Sequence, residues 1–202
     1  LIPVHNHWAI TLNALRSLVA MANGTRFEVI VADDASTDTT QQLGRQLPWL
    51  RLWRSERNQG FLDTCNGAAA LARGELLLLL NNDVLVGDHA LDRIAGTFAD
   101  HLEARVVGAA MWSADGRPQE VGGIVWADGQ VWNHGRNAPP EHGFALAYER
   151  QCDTVSGCAM AIRRQLWAEL EGFDPRYRPA YAEDTDLCMR VRQAGHSVWV
   201  QP

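Results

Sequence analysis

The sequence predicts an α/β fold, with a mostly parallel central sheet flanked by helices and an irregular β-rich excursion in its second half. Three observations predict it. Short apolar runs alternate with segments of helical period through the first hundred residues. The run Leu76 to Leu80 is apolar at every position, as a strand covered on both faces must be. Turn residues and tryptophans then replace that alternation between Ser113 and Tyr148.

In chain order, Leu1 to Val4 opens as a strand, and Leu12, Leu15, Leu18, Val19 and Ala22 recur at helical spacing up to Asn23-Gly24. Phe27 to Ala32 is a short apolar strand running into Asp33-Asp34. Ser36, Thr37 and Asp38 are cap-type residues that open a second, short helix. Leu50 to Trp53 is a third strand, and Phe61, Cys65, Ala68, Ala69 and Ala72 mark a helix with a small-residue face ended by Gly74. The strand Glu75 to Leu80 stops at Asn81-Asn82-Asp83. Ala90, Leu91, Ile94, Ala95 and Phe98 make a helix, and Val106 to Met111 a strand. After the excursion, in which Trp126 and Trp132 flank a hairpin, Val155 to Ile162 is a strand, Gln165 to Leu170 a short helix and Thr185 to Ala194 the last helix.

Bulk properties narrow the function. A chain of 202 residues buries one good core, so one domain is expected over 1–202, with halves 1–111 and 112–202. Leu1 to Val4 reads as the end of a strand and Ser197 to Val200 as a strand with nothing after it, so a domain truncated at both ends is expected. Eighteen basic residues against 24 acidic ones leave a net charge of −6, which supplies no basic field for nucleic acid. The longest apolar runs are too short to span a bilayer. Cys65, Cys152, Cys158 and Cys188 form no CxxC pair and read as reduced thiols of a cytoplasmic protein.

In parallel sheets ligands bind beyond the carboxyl ends of the strands, where both Asp33-Asp34 and Asp83 fall. One carboxylate plus substrate phosphates is the usual way to hold Mg²⁺ or Mn²⁺, although Asn and Asp also simply favour turns. A second acidic pair can accept hydrogen bonds from a ribose or a base. There is no G-x-G-x-x-G and no P-loop, so any nucleotide is held by carboxylates and metal instead. Glu183, Asp184 and Asp186 open a helix, where the macrodipole stabilises carboxylates by about 0.3–1 kcal/mol each. Three acids in four residues exceed what capping requires.

These residues, with Asn58-Gln59-Gly60-Phe61, Asn66, Ala72 to Glu75, Ser156-Gly157-Cys158, Arg163-Arg164 and Gly172-Phe173-Asp174, resemble in order the motifs of family 2 glycosyltransferases of the GT-A fold. The middle segment, with Gln119 to Gly123 and Trp132 to Arg136, resembles the bacterial surface-polysaccharide, rhamnosyltransferase-like branch. The resemblance implies an inverting transferase moving a sugar from a nucleoside-diphosphate donor to a saccharide or lipid-linked saccharide acceptor, at the inner face of a membrane through regions outside this chain. It implies a nucleotide-binding half followed by an acceptor and catalytic half. Asp33, Asp34, Asn58 and Asn81 are implied as donor contacts, Asp83 as the metal carboxylate and Asp184 as the general base. Glu183, Asp186, Trp132 and Gly157 are candidate acceptor or sugar contacts. Asn81 departs from the family's usual aspartate.

Three alternatives stand beside this reading. A receiver-type phosphoacceptor domain needs a lysine, and the sequence has none. A sugar nucleotidyltransferase needs a Gly-rich basic loop near its start, which is missing. A catalytically inactive nucleotide-sugar-binding module would keep the same acidic pattern.

Overall fold

The computed structural model describes residues 1–202, the side chain of Phe144 aside. The first half alternates as expected: β1 (Ile2–Val4), α1 (Trp8–Ala20), β2 (Ile30–Asp33), a 3₁₀ turn leading into α2 (Leu43–Gln46), β3 (Arg51–Arg54), α3 (Phe61–Ala69), β4 (Leu76–Leu80), α4 (Ala90–Asp100) and β5 (Ala104–Ala109). Parallel pairings join β1 to β2 and β2 to β3. Two hydrogen bonds stitch β1 to β4, from the Leu1 nitrogen to the Leu78 carbonyl (2.7 Å) and from the Leu80 amide to the Leu1 carbonyl (3.0 Å).

The excursion is two small hairpins, β6 (Met111–Trp112) with β7 (Pro118–Glu120) and β8 (Gly123–Val125) with β9 (Val131–Asn133). Beyond α5 (Gly143–Leu146) come β10 (Arg150–Cys152), β11 (Ala159–Arg163), α6 (Arg164–Glu169), α7 (Glu183–Gln193) and β12 (Ser197–Gln201). Their sheet runs β10-β12-β5-β11-β4. Here β12 is parallel to β5, whereas β11 is antiparallel to both its neighbours and β10 is antiparallel to β12. Residues 155–158, expected as the start of a strand, form a loop instead. The amides of Ser156 and Gly157 there go to carboxylates rather than to a neighbouring strand.

Alternation on the strands explains why they read as continuously apolar. Leu77, Leu79, Val106, Ile162, Val198 and Val200 face a core covered by α3, α6 and α7. Leu76, Leu78, Val107, Ala161 and Trp199 face the opposite side, with Ile94 and Phe98 of α4. A third cluster holds β1 and β2 against Leu15 and Leu18 of α1. One close approach fixes a residue type: a Cβ at Gly108 would collide with the Val155 side chain. The loop after Val155 therefore lies directly over β5, and this loop enters the site.

Candidate active site

The acidic pair at the end of β2 is split by the strand's own alternation. Asp33 is wholly buried; its carboxylate accepts from the Ser36 amide (2.8 Å) and is paired with Arg54. Both of its oxygens are engaged by the protein, and it is absent from the lining of the neighbouring pocket. Asp34 turns the other way. Its carboxylate accepts from the amides of Gln59 and Gly60 (both 2.9 Å) and from the Ser55 hydroxyl (3.0 Å). Gly60 has φ +86°, and a Cβ there would lie 3.0 Å from the Pro179 carbonyl, so both the conformation and the space call for glycine. Asp34 and Asn58 line a pocket of about 230 Å³ with Pro3, Val4, His5, Gly60, Phe61 and Thr64. Asn58 is exposed at its rim.

The polar run after β2 is scaffolding for this pocket. Asn6 Oδ1 accepts from the amides of Thr37 (2.8 Å) and Asp38 (3.2 Å), and the Asn6 amide donates to Ser36 Oγ (2.7 Å). Asp38 caps the 3₁₀ turn through the Thr40 amide (2.9 Å), as the sequence predicts, and accepts from the Trp8 amide at the start of α1 (3.1 Å).

Beyond β4, Asn81 and Asp83 sit on the turn, and Asp83 is exposed. The Asn82 side chain is occupied by Thr11 Oγ1 (3.0 Å). The Asn81 amide donates to the Cys158 carbonyl (2.8 Å), which fastens this turn to the Ser156–Cys158 loop. On the other side of that loop Asp184 Oδ2 accepts from the Gly157 amide (3.0 Å), and Asp184 Oδ1 accepts from the Thr185 amide (2.7 Å). A Cβ at Gly157 would meet Phe61 Cζ at 3.3 Å and Asp184 Cβ at 3.7 Å. Phe61 is thus the wall between the pocket and Asp184.

Asp83, Glu120 and Asp184 all act on the Cys158 thiol. Burial, then these three negative charges, push it up to about 12, so it is a neutral thiol at neutral pH. The two other acids of α7 do not face the cleft. Glu183 is 6% exposed; burial raises its pKa, and Oε2 has no hydrogen-bond partner among the described residues. Asp186 accepts from Arg190 Nε (2.6 Å) and the Tyr177 hydroxyl (3.2 Å), and Arg190 also holds the Leu170 and Gly172 carbonyls. Glu183 shares its helix face with buried Leu187, and Asp186 shares its face with Arg190. Trp132 is 59% exposed on β9 and stacks edge-on with Trp126, centroids 5.2 Å apart.

Sequence reasoning passed over Glu120. It ends β7, is 8% exposed, and its Oε1 accepts from the Ser156 amide at 2.6 Å. Burial, with Asp184 adding to it, raises its pKa to about 7; the Ser156 amide and Arg136 oppose the shift. The available signal was the acid between Gln119 and Val121 in a segment already noted for its motif.

Among the described residues no group of three or more His, Cys, Asp or Glu side chains forms a metal cage. The donor set at the β4 end is one exposed carboxylate, Asp83, beside one side-chain amide, Asn81. That suits a hard divalent cation completed by phosphate oxygens and water.

The site therefore comprises two acidic strand ends, a pocket lined by Asp34 and Asn58 at the first of them, and a carboxylate, Asp184, at the start of α7. The profile of Glycosyl transferase family 2 matches residues 1–170, and the chain belongs to that family. It is 27% identical to the N-acetylglucosaminyl-diphospho-decaprenol L-rhamnosyltransferase of Mycobacterium tuberculosis, over 88% of this chain and 64% of that protein. It is 30% identical to the O-antigen biosynthesis protein RfbC of Myxococcus xanthus, over 89% of this chain and 14% of that protein. The chain therefore spans less than two thirds of either relative. The crystal structure of GalNAc-T7 with UDP, GalNAc and Mn²⁺ superposes with a TM-score of 0.78 at 15% identity, over 100% of this chain and 41% of that one, and shares the GT-A fold.

Proposed function

We propose that this chain carries the catalytic site of an inverting glycosyltransferase that uses a nucleoside-diphosphate sugar and a divalent cation. The observation that carries it is Asp184, anchored by the Gly157 amide on the loop whose Cys158 carbonyl holds the Asn81 amide. In this reading Asp184 is the base, beside the turn that bears Asp83. The pocket lined by Asp34 and Asn58 takes the nucleotide. Asp83, with Asn81, would hold Mg²⁺ or Mn²⁺, which when bound neutralises charge on the leaving diphosphate. UDP and Mn²⁺ in the GalNAc-T7 structure support a donor and a cation of this kind.

Asp184 takes the proton of the acceptor hydroxyl as that oxygen bonds to the anomeric carbon. The bond from that carbon to the phosphate oxygen breaks, and the nucleoside diphosphate leaves with the electron pair. One displacement by one base inverts the anomeric centre. Trp132, exposed beside the same excursion, offers a face on which an acceptor sugar stacks. The M. tuberculosis relative, by its name, acts on a lipid-linked saccharide, which supports a saccharide or lipid-linked saccharide acceptor. No helix among the described residues is long and apolar enough to cross a membrane.

The test is Asp184→Asn. Turnover should fall by roughly 10²–10⁴, the usual contribution of a general base, with binding of UDP, GDP or dTDP in Mn²⁺ changed by less than threefold. Collapse of nucleotide binding in this variant would make Asp184 a ligand-holding residue and overturn the assignment.

A further inference from the structure

Glu120 has no part in the scheme above, yet it is one of the four buried acids among the described residues, with Asp33, Asp34 and Glu183. Its Oε1 lies 2.6 Å from the Ser156 amide, and the next amide, Gly157, donates to Asp184 Oδ2 at 3.0 Å. Two carboxylates from different elements, the end of β7 and the first turn of α7, thus grip consecutive amides of one loop. The far end of the loop is pinned. The Cys158 amide donates to Ser156 Oγ (3.2 Å), and the Cys158 carbonyl accepts from Asn81 (2.8 Å). Phe61 stands at 3.3 Å from the position of a Gly157 Cβ and blocks movement toward the nucleotide pocket. Without an acceptor for the Ser156 amide, the loop would be free to turn that amide toward water and carry Gly157 away from Asp184.

We propose that Glu120 is a positioning residue for the transfer reaction: by holding the Ser156 amide it fixes the Ser156–Gly157 peptide and, through the Gly157 amide, the orientation of the Asp184 carboxylate. The inference rests on Asp184 being the base. At 2.6 Å the bond is short, and it is of the stronger, charge-assisted type whenever Glu120 is ionised. The groups that face Glu120 are Asp184, Arg136, Cys152 and Cys158. Only Arg136 among them is cationic, and it is exposed. The Ser156 amide is therefore the one hydrogen-bond donor the described residues give this carboxylate. A base held by a single glycine amide and its neighbour Thr185 is sensitive to small rotations, because in-line proton removal demands that one oxygen point at the acceptor hydroxyl.

Two substitutions separate this role from plain packing. Glu120→Met fills the space without an acceptor, and Glu120→Gln restores one oxygen to the Ser156 amide. The first readout is exchange of the Gly157 amide hydrogen in the substrate-free protein. It should be at least tenfold faster in Glu120→Met and within threefold of the parent in Glu120→Gln. The second is nucleoside diphosphate release from a panel of UDP-, GDP- and dTDP-sugars with Mn²⁺. There kcat should fall at least 30-fold in Glu120→Met and stay within fivefold in Glu120→Gln, with KM for the donor changed less than threefold in both. Unchanged Gly157 exchange in Glu120→Met overturns the proposal, as does equal slowing in the two variants or a loss that appears in KM. Asp184→Asn run beside them tells the two readings apart. If it turns over like the parent, the base assignment fails; if it is inactive while Glu120→Met is not, only the role of Glu120 fails.

Discussion

Asp33→Asn and Asp34→Asn are adjacent, isosteric changes that should fail in different ways. In Asp34→Asn one oxygen becomes an NH₂ that faces the amide of Gly60, Gln59 or the Ser55 hydroxyl. At least one bond to a charged acceptor is lost, worth about 1.5–3 kcal/mol. Gly60 sits on the wall of the 230 Å³ pocket, so the loss falls on the ligand site. Affinity for UDP, GDP or dTDP with Mn²⁺, measured calorimetrically, should drop at least tenfold, or about 1.4 kcal/mol. In Asp33→Asn the Ser36 amide keeps an acceptor, but Arg54 loses its counter-charge. The Arg54 side chain is 38% exposed, so solvent screens the pair, and the cost is about 2 kcal/mol rather than the 3–5 of a fully buried pair. For a domain of this size that lowers the melting midpoint by about 4–8 °C, while nucleotide affinity should change less than threefold. Equal affinity losses in the two variants, or parental affinity in Asp34→Asn, would refute the division of labour.

Asp83→Asn should abolish the Mn²⁺-dependent part of nucleoside-diphosphate binding and leave the melting midpoint within about 2 °C, since the side chain is exposed; titration with and without Mn²⁺ checks it. Trp132→Ala should raise KM for a saccharide acceptor several-fold, consistent with about 1 kcal/mol of stacking, and leave donor KM unchanged; acceptor-dependence curves decide it. Glu120 is raised by burial to about 7 from an ordinary 4.5, so between those values the folded state holds a proton the unfolded state has released. Its stability contribution is present below about pH 4.5 and is lost as pH rises through 7, on the order of 3 kcal/mol. Denaturant unfolding at pH 5 and 7.5 should show Glu120→Gln losing less stability over that interval than the parent.

Much of this was legible in the residues. The apolar strands, the acids at their ends, the cap at Asp38 and the small-residue face of α3 follow from period and residue type. Three things were not. A continuous apolar run such as Ala159 to Ile162 reports burial on both faces, and burial is the same whether β11 runs parallel or antiparallel. Val155 has the look of a strand start, but it packs on Gly108 and the next two amides go to Glu120 and Asp184, partners more than 25 residues away in sequence. Glu120 itself lies in a three-residue strand, too short for alternation to announce which side is buried.

The three acids at the start of α7 show what would have sharpened the reading. Helix residues four apart share a face, so each acid's fate is written in its i+4 partner. Glu183 is followed by Leu187, which is wholly buried, and the carboxyl is drawn inward with its pKa raised. Asp186 is followed by Arg190, which pairs with it and spends its remaining donors on the turn at Leu170 to Gly172. Asp184 is followed by Cys188, whose thiol lies against the Val155 carbonyl (3.8 Å), at the root of the loop that holds Gly157. The face between the other two is therefore the one that meets the Ser156–Cys158 loop, and Asp184 alone of the three points a carboxylate at it. Helix phase leaves Asp184 as the one acid of the three at the loop: burial raises the pKa of Glu183, and an ion pair ties up Asp186.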